Sequence, residues 1–352
     1  MHIPDGFINA STSAGAGVVA AGGIATCLRR ARQSLEERTG PLAGLVAAFI
    51  FALQMLNFPV AAGTSGHLLG GVLAAVLVGP WVGALCVSVV LIVQALVFAD
   101  GGLSALGLNI INMALVGALC CYPLFLVLRR LLGNQRRGLV VAAAITAWFG
   151  PVVASLVFAA EYAVGGNHAA STSRVVTAMV GTHALIGIGE AVITGAVLSA
   201  VMAVRPDLVH GARTGRAVAG DGRGRVGSIA ARPLAPVVVG VLALAGALVF
   251  LVAPKASSKP DGLQKIAADN GLDAGVRPTA TSASPLAGYG VHGLGNSTLA
   301  TGVAGAAGIG GTFLIALGAT RIRRRRRAHD GCLAEPLDEL VAGAAVAVSA
   351  SS

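Results

Sequence analysis

Residues 68 to 98 read LLGGVLAAVLVGPWVGALCVSVVLIVQALVF, an apolar run without one charged residue. A single membrane helix uses about 20 residues, so this run is too long for one crossing. Gly79 and Pro80 interrupt it, and proline breaks a helix because it lacks a backbone N–H. The run therefore predicts two helices, at about 68–79 and 82–98, that turn at Gly79-Pro80-Trp81. The first is short, and we expect it to be partly re-entrant.

The composition of the whole chain is that of a polytopic membrane protein. Of 352 residues, 55% are apolar and only 11% are charged, and the mean hydropathy is +0.80. Further apolar stretches long enough to cross a bilayer lie at about 12–28, 42–58, 104–128, 139–163, 174–203, 234–253 and 298–319. We therefore predict an all-α, polytopic transmembrane helical protein.

The placement of arginine sets the number of crossings. Most of the 25 basic residues fall in four clusters, at 29–38, 129–137, 205–232 and 321–327. Basic loops stay on the cytoplasmic side, so an even number of crossings must separate each pair of clusters. This predicts about nine spans, with the N-terminus outside and the C-terminus inside. It also explains the net charge of +10 by topology and contact with anionic membrane lipid, so no nucleic-acid partner is expected.

Polar stretches divide the chain into parts. We predict a seven-span body at 1–205, a cytoplasmic Arg/Gly-rich linker at 206–232, a two-helix segment at 233–320 and a basic cytoplasmic tail at 321–352. Within the two-helix segment, residues 254–297 form an external loop rich in Gly, Ala, Ser, Thr and Pro. Such a composition favours a small, loosely ordered segment.

Two histidines on the outer side define a candidate metal site. The chain opens MHIPDGF, and His67 lies in the stretch GTSGHLLGG at 63–71. A free N-terminal amine, the backbone nitrogen of residue 2 and the Nδ1 of His2 can chelate one ion, and His67 can supply a fourth nitrogen. Four such nitrogens suit Ni(II) or Cu(II), and Co(II) with some change of geometry, better than tetrahedral Zn(II). The alternative is that each histidine is an ordinary capping or packed polar group.

Two ionisable residues inside a predicted span define a second hypothesis. His183 and Glu190 are two helical turns apart and can share one face. A charge at the centre of a span costs about 2.5–3.5 kcal/mol, so such residues are often functional. The pair could relay protons in a stand-alone, proton-coupled secondary metal carrier, or it could lock helix packing by hydrogen bonds. The sequence contains no P-loop of the form GxxxxGK[ST], so ATP-driven transport would require another polypeptide.

Three motifs occur together over residues 1–205. They are MHIPDGF at 1–7, NFPV leading into GTSGHLLGG at 57–71, and DGGL at 100–103 followed by Asn109 and Asn112. At this spacing they closely resemble the CbiM/NikM family, the substrate-capture (S) components of energy-coupling factor (ECF) transporters for cobalt and nickel.

The resemblance implies a transport subunit of the bacterial plasma membrane and not an enzyme. Such a subunit captures Ni(II) or Co(II) at the outer face and holds it as cargo, with no bound cofactor. Its expected partners are a transmembrane coupling (T) component and two cytoplasmic ATPase subunits, which agrees with the missing P-loop. The shared ligand set leaves both metals open.

The resemblance also implies a ligand set. The N-terminus inserts into the fold, and the ion is held by the Met1 amine, the His2 amide nitrogen and imidazole, and the His67 imidazole. All three positions are intact here. Four further residues are expected to support the ligands from outside the coordination sphere: Asp5, Thr64, Ser65 and Asn109.

The C-terminal part is similar to the small two-helix accessory protein of such systems, of the NikN-like type called PDGLE. The similarity rests on Lys259-Pro260-Asp261-Gly262-Leu263, on Tyr289-Gly290-Val291 and on the last two spans. An acidic residue usually follows the leucine of that motif, and Gln264 stands there instead. Fusion of this part to the S component is similar to nickel-type fusions.

Overall fold

The computed structural model describes residues 1–34, 39–61, 63–133, 135–212 and 233–319. The predicted linker therefore lies largely outside the described residues, as does the predicted basic tail. The main elements are α1 (Ala10–Ser34), α2 (Thr39–Gln54), β1 (Phe58–Pro59), β2 (Ser65–Gly66), α3 (Gly71–Val78), α4 (Pro80–Val97), α5 (Leu106–Leu132), α6 (Arg136–Gly165), α7 (Thr172–Val204), α8 (Ala235–Lys255), α9 (Gly262–Asn270) and α10 (Ser297–Ala319). β1 and β2 pair antiparallel, and α5 is π-helical over Ile110–Cys120.

The helices confirm the predicted all-α membrane architecture. Seven of the described helices are long and apolar enough to cross a bilayer, namely α1, α4, α5, α6, α7, α8 and α10. Within the described ranges, the shorter apolar helix α2 and the very short α3 are two further apolar segments, which is compatible with the roughly nine spans that the arginine clusters predict. Seven of these segments belong to the body and two to the C-terminal part.

The predicted turn at Gly79-Pro80 is confirmed. Gly79 has φ +90° between α3 and α4, and Pro80 is the first residue of α4, where its missing N–H removes no intrahelical bond. The side chain of His210 packs against Gly79, so a Cβ there would lie 3.3 Å from the imidazole.

α3 is too short to cross the bilayer alone. Its 8 residues rise about 12 Å, against about 30 Å of hydrocarbon. A non-helical stretch at 64–70 leads into it, and residues 64–78 are buried without interruption. Irregular backbone at membrane depth is tolerated where protein encloses it, so the loop that carries His67 can enter the body.

The C-terminal helices pack on α2 through glycines. A Cβ on Gly308 would lie 2.0 Å from the ring of Phe51, and one on Gly44 would lie 3.0 Å from the carbonyl oxygen of Phe313. These contacts hold α10 against α2, and the segment between α8 and α10 returns over the loops of the body.

The expectation of a loosely ordered loop at 254–297 is wrong where α9 forms. Asp261 starts this helix with a capping box, in which its Oδ1 accepts a hydrogen bond from the Gln264 backbone N–H at 2.8 Å and its own N–H donates to Gln264 Oε1 at 3.3 Å. Glutamine fills this role as well as glutamate does. The helix therefore keeps its cap although Gln264 stands where the motif usually has an acidic residue. Leu263 and Leu272 are buried and anchor the segment.

Candidate metal site

The first residues of the chain are inserted among the loops at one end of the helices. Met1, His2 and Ile3 are buried. The backbone of Ile3 is paired on both sides with the Asn109 amide, by an N–H to Oδ1 bond of 2.8 Å and an Nδ2 to carbonyl bond of 3.2 Å. The N–H of Gly102 also donates to the Ile3 carbonyl at 2.8 Å. The inserted N-terminus predicted from the sequence is therefore present, and Asn109 fixes it.

Asp5 ties this segment to the loop before α5. Its carboxylate accepts hydrogen bonds from Leu103 N at 3.2 Å, Ser104 N at 2.7 Å and Ser104 Oγ at 2.5 Å. Partial burial opposes ionisation, but the bonds from Ser104 and Leu103 keep the pKa of Asp5 below its usual value. Gly102 permits the contact, because a Cβ there would lie 2.3 Å from the Asp5 nitrogen.

The N-terminal amine meets His67. The Met1 nitrogen lies 2.7 Å from His67 Nε2, and His67 Nδ1 lies 3.0 Å from the carbonyl oxygen of Leu68. Only a protonated Nδ1 can donate to that carbonyl, which leaves the Nε2 lone pair facing the amine. Burial, the N-terminal charge and the nearby His2 hold the pKa of His67 well below 6.5. The ring is therefore neutral at pH 7, as a metal ligand requires.

His2 lies beside His67 and also faces a carboxylate. The two ring centroids are 5.1 Å apart, and His2 Nδ1 lies 3.4 Å from Asp100 Oδ1. Burial lowers the pKa of His2, and Asp100 opposes the shift only in part. The other oxygen of Asp100 accepts a 2.5 Å hydrogen bond from the Tyr289 hydroxyl. Ala99, the residue before Asp100, has φ +54°, a conformation rare for residues other than glycine.

Thr64 and Ser65, the other two residues expected to support the ligands, donate hydrogen bonds to backbone carbonyls elsewhere. Ser65 donates from its backbone N–H to the Pro260 carbonyl at 2.9 Å and from its hydroxyl to the Lys259 carbonyl at 2.7 Å. Thr64 is buried, and its N–H donates to Ala61 in the turn between β1 and β2. Both residues shape the loop before His67, and Ser65 joins it to the C-terminal segment.

Sequence reasoning missed Asp261 as a residue of this site. Its Oδ2 lies 3.0 Å from the Met1 nitrogen and 4.0 Å from His67 Nε2. Burial alone would raise the pKa of Asp261, but the N-terminal ammonium, 3.0 Å away, holds it far below the usual range. Within the part of the chain that the structure describes, no three His, Cys, Asp or Glu side chains form a metal-binding group. The predicted metal site is not a group of this kind, because two of its four nitrogens, the Met1 amine and the His2 amide, belong to the backbone.

Glu190 and His183 are engaged separately. The Glu190 carboxylate accepts hydrogen bonds from Leu69 N at 2.7 Å and Gly70 N at 2.9 Å. Gly70 has φ +80° and precedes α3 directly, so Glu190 satisfies buried N–H groups at the start of that helix. His183 Nδ1 bonds to the carbonyl of Met179 at 2.8 Å. The Glu190 contacts join α7 to the loop before α3, whereas the His183 contact lies within α7 itself.

Comparisons with known proteins agree with this architecture. The family described as CbiM, cobalt uptake substrate-specific transmembrane region, matches residues 2–208, and the PDGLE domain matches residues 235–325. The fused nickel transport protein NikMN of Rhodobacter capsulatus is 34% identical over 59% of this chain and 64% of its own length. The cobalt transport protein CbiM of Geobacter sulfurreducens is 31% identical over 78% of this chain and 79% of its own length. The crystal structure of a transition metal transporter superposes with a TM-score of 0.53 at 30% identity, over 58% of this chain and 93% of that one.

The fold and these relatives define a multi-pass membrane component of cobalt and nickel transport. The chain belongs to the CbiM family and carries a NikN-like PDGLE segment at its C-terminal side. The family resemblance seen in the three N-terminal motifs is confirmed.

Proposed function

We propose that this chain is the S component of an ECF-type importer and captures Ni(II) or Co(II) at the outer face. The observation that carries the proposal is the buried pairing of the Met1 amine with His67 Nε2 at 2.7 Å. Two nitrogens at about 2.0 Å from one ion, in adjacent positions, are about 2.8 Å apart. The separation in the structure therefore suits two ligands of a single ion.

The proposed ligands are the Met1 amine, the His2 amide nitrogen and Nδ1, and the His67 Nε2. The fixed tautomer of His67 supports its role, because its free lone pair already faces the amine. On metal binding, His2 Nδ1 would leave Asp100 and coordinate the ion. Binding would release protons from the amine and the amide, since nitrogen ligands must be deprotonated to bind a metal.

The proposed partners are a T component and two ATPases that drive release of the metal inward. Reconstitution in proteoliposomes tests this arrangement. We expect the chain alone to bind radioactive nickel without accumulating it inside, and accumulation to need the T component, both ATPases and ATP. Accumulation by the chain alone under a pH gradient would instead establish the secondary carrier that uses His183 and Glu190.

A variant of Glu190 separates the two mechanisms further. Glu190→Ala leaves the N–H groups of Leu69 and Gly70 buried without an acceptor, which costs about 1–3 kcal/mol for each group. We therefore expect a large loss of thermal stability in detergent, and a smaller loss for Glu190→Gln, which keeps one carbonyl oxygen.

The matched control is Glu161→Gln, a carboxylate in α6 that accepts a hydrogen bond from Asn112 at 2.7 Å. We expect it to leave nickel binding unchanged. If Glu190→Gln kept full stability and nickel affinity but lost transport, Glu190 would be a proton carrier and not a cap for α3.

A further inference from the structure

The C-terminal segment reaches the candidate metal site directly. Asp261 lies in it, 260 positions after the amine that it contacts. A cavity of about 380 Å³ beside His2 is walled by both parts of the chain, with Asp5 and Asp100 from the body and Asp273 and Arg277 from the C-terminal segment. The accessory segment thus borders the site that the body forms.

We infer that Asp261 is a positioning residue of the metal site, whose carboxylate orients the Met1 amine toward His67. The inference rests on the proposed function and extends the site to the accessory segment. Oδ2 lies 3.0 Å from the Met1 nitrogen, while Oδ1 is occupied by the cap of α9. The two oxygens therefore have separate partners, and the helix fixes the direction in which Oδ2 points.

The hydrogen bond between the Met1 amine and Asp261 can form both with and without a bound ion. An amine that coordinates an ion keeps two hydrogens, so one of them can remain on Asp261 while the lone pair faces the ion. Carboxylates orient metal-bound histidines in this way by accepting the hydrogen that faces away from the metal. Asp261 would thus orient the N-terminal amine by accepting one of its hydrogens, as the Leu68 carbonyl orients His67 by accepting the Nδ1 hydrogen.

The backbone around Asp261 is held on both sides. The Pro260 carbonyl accepts a 2.9 Å hydrogen bond from the backbone N–H of Ser65, which lies two residues before His67. Gly262 packs on α7, where a Cβ would lie 3.0 Å from the Thr182 methyl carbon. The tripeptide Pro260-Asp261-Gly262 thus docks on the loop before His67, presents the carboxylate and passes close to α7.

Asp261→Asn in the full chain tests the inference. Asparagine caps helices as well as aspartate does, so the change removes the charge and keeps the start of α9. The matched control is Asp269→Asn, the same change on the exposed end of α9, where Asp269 pairs with Lys265. Gln264→Ala is the second control, because it removes only the hydrogen bond from the Asp261 backbone N–H and leaves both the cap on Oδ1 and the carboxylate.

We expect Asp261→Asn to weaken nickel chloride binding about 10–100-fold by calorimetry, the usual cost of losing a partner of a metal ligand. Without metal, an amine-reactive reagent should modify Met1 about tenfold faster or more in this variant, because a hydrogen bond between charged groups no longer holds the amine. Both controls should match the wild type in both measurements.

Wild-type affinity or a wild-type rate of amine modification in Asp261→Asn would overturn the inference. An equal effect of Gln264→Ala would also overturn it, because the role of Asp261 would then be that of a helix cap. If the wild-type chain bound neither nickel nor cobalt, the proposed function would fail by itself. The rate of amine modification would still decide whether Asp261 holds the amine.

Discussion

His67→Ala is expected to weaken Ni(II) and Co(II) binding by at least about 100-fold. Structural sites with four ligands bind zinc with about 10–16 kcal/mol, so each ligand accounts for roughly 3 kcal/mol, and every 1.4 kcal/mol is a factor of ten in affinity. The loss should be at least this large, because the Met1 amine faces His67 Nε2 directly at 2.7 Å. Calorimetry on the purified full chain measures the effect.

His292→Ala is the matched control for this change. His292 lies in the C-terminal segment, where its backbone N–H donates to Pro285 at 3.2 Å, and we assign its side chain no part in binding. It should bind both metals as the wild type does. A wild-type affinity of His67→Ala for both metals would remove His67 from the ligand set and leave its contact with the amine as a structural one.

The parts of the fold that were predictable follow from local patterns. Gly79-Pro80 marks a helix break whatever lies around it, and the arginine clusters then predict a crossing by the segment on each side of the break. Asn109 and the inserted N-terminus were expected from the motifs shared with the family. In each case the informative residues are adjacent in the sequence or belong to one recognised motif.

The parts that were missed depend on contacts between distant positions. Asp261 contacts Met1 across 260 positions, and Glu190 caps backbone groups 120 positions earlier. Nothing in a single sequence pairs such residues, and the sequence marks Asp261 only as part of a motif. Glu190 does share the buried face of α7 with His183, as the spacing predicts, but nothing in the sequence indicates that its hydrogen bonds go to the loop before α3.

The composition of the C-terminal loop hides a helix signal. Gly, Ala, Ser, Thr and Pro dominate residues 254–297, which is typical of irregular segments. The signal was Asp261 followed three residues later by Gln264, a pair that starts a helix by mutual hydrogen bonds. The helix brings the C-terminal segment to the metal site.

An acetyl group on the Met1 nitrogen shows whether the N-terminal amine is a metal ligand. Acetylation turns the amine into an amide and adds no new amine. An extra residue before Met1 would not serve, because His2 would then be third in the chain, where an amine, two amides and the imidazole again chelate Ni(II) through four nitrogens. The Met1 nitrogen also has little room for an added group, since it already lies 2.7 Å from His67 and 3.0 Å from Asp261. The control is the same chain produced without the acetyltransferase. We measure metal content and absorption spectra of each chain, loaded separately with Ni(II) and Co(II).

The unacetylated chain should show the yellow band of low-spin, four-nitrogen Ni(II), and the acetylated chain should lose both the band and the bound metal. Equal binding and an unchanged spectrum in the acetylated chain would contradict the proposed site. The N-terminal amine would then not be a ligand, and the ligand roles proposed for His2 and His67 would have to be determined afresh.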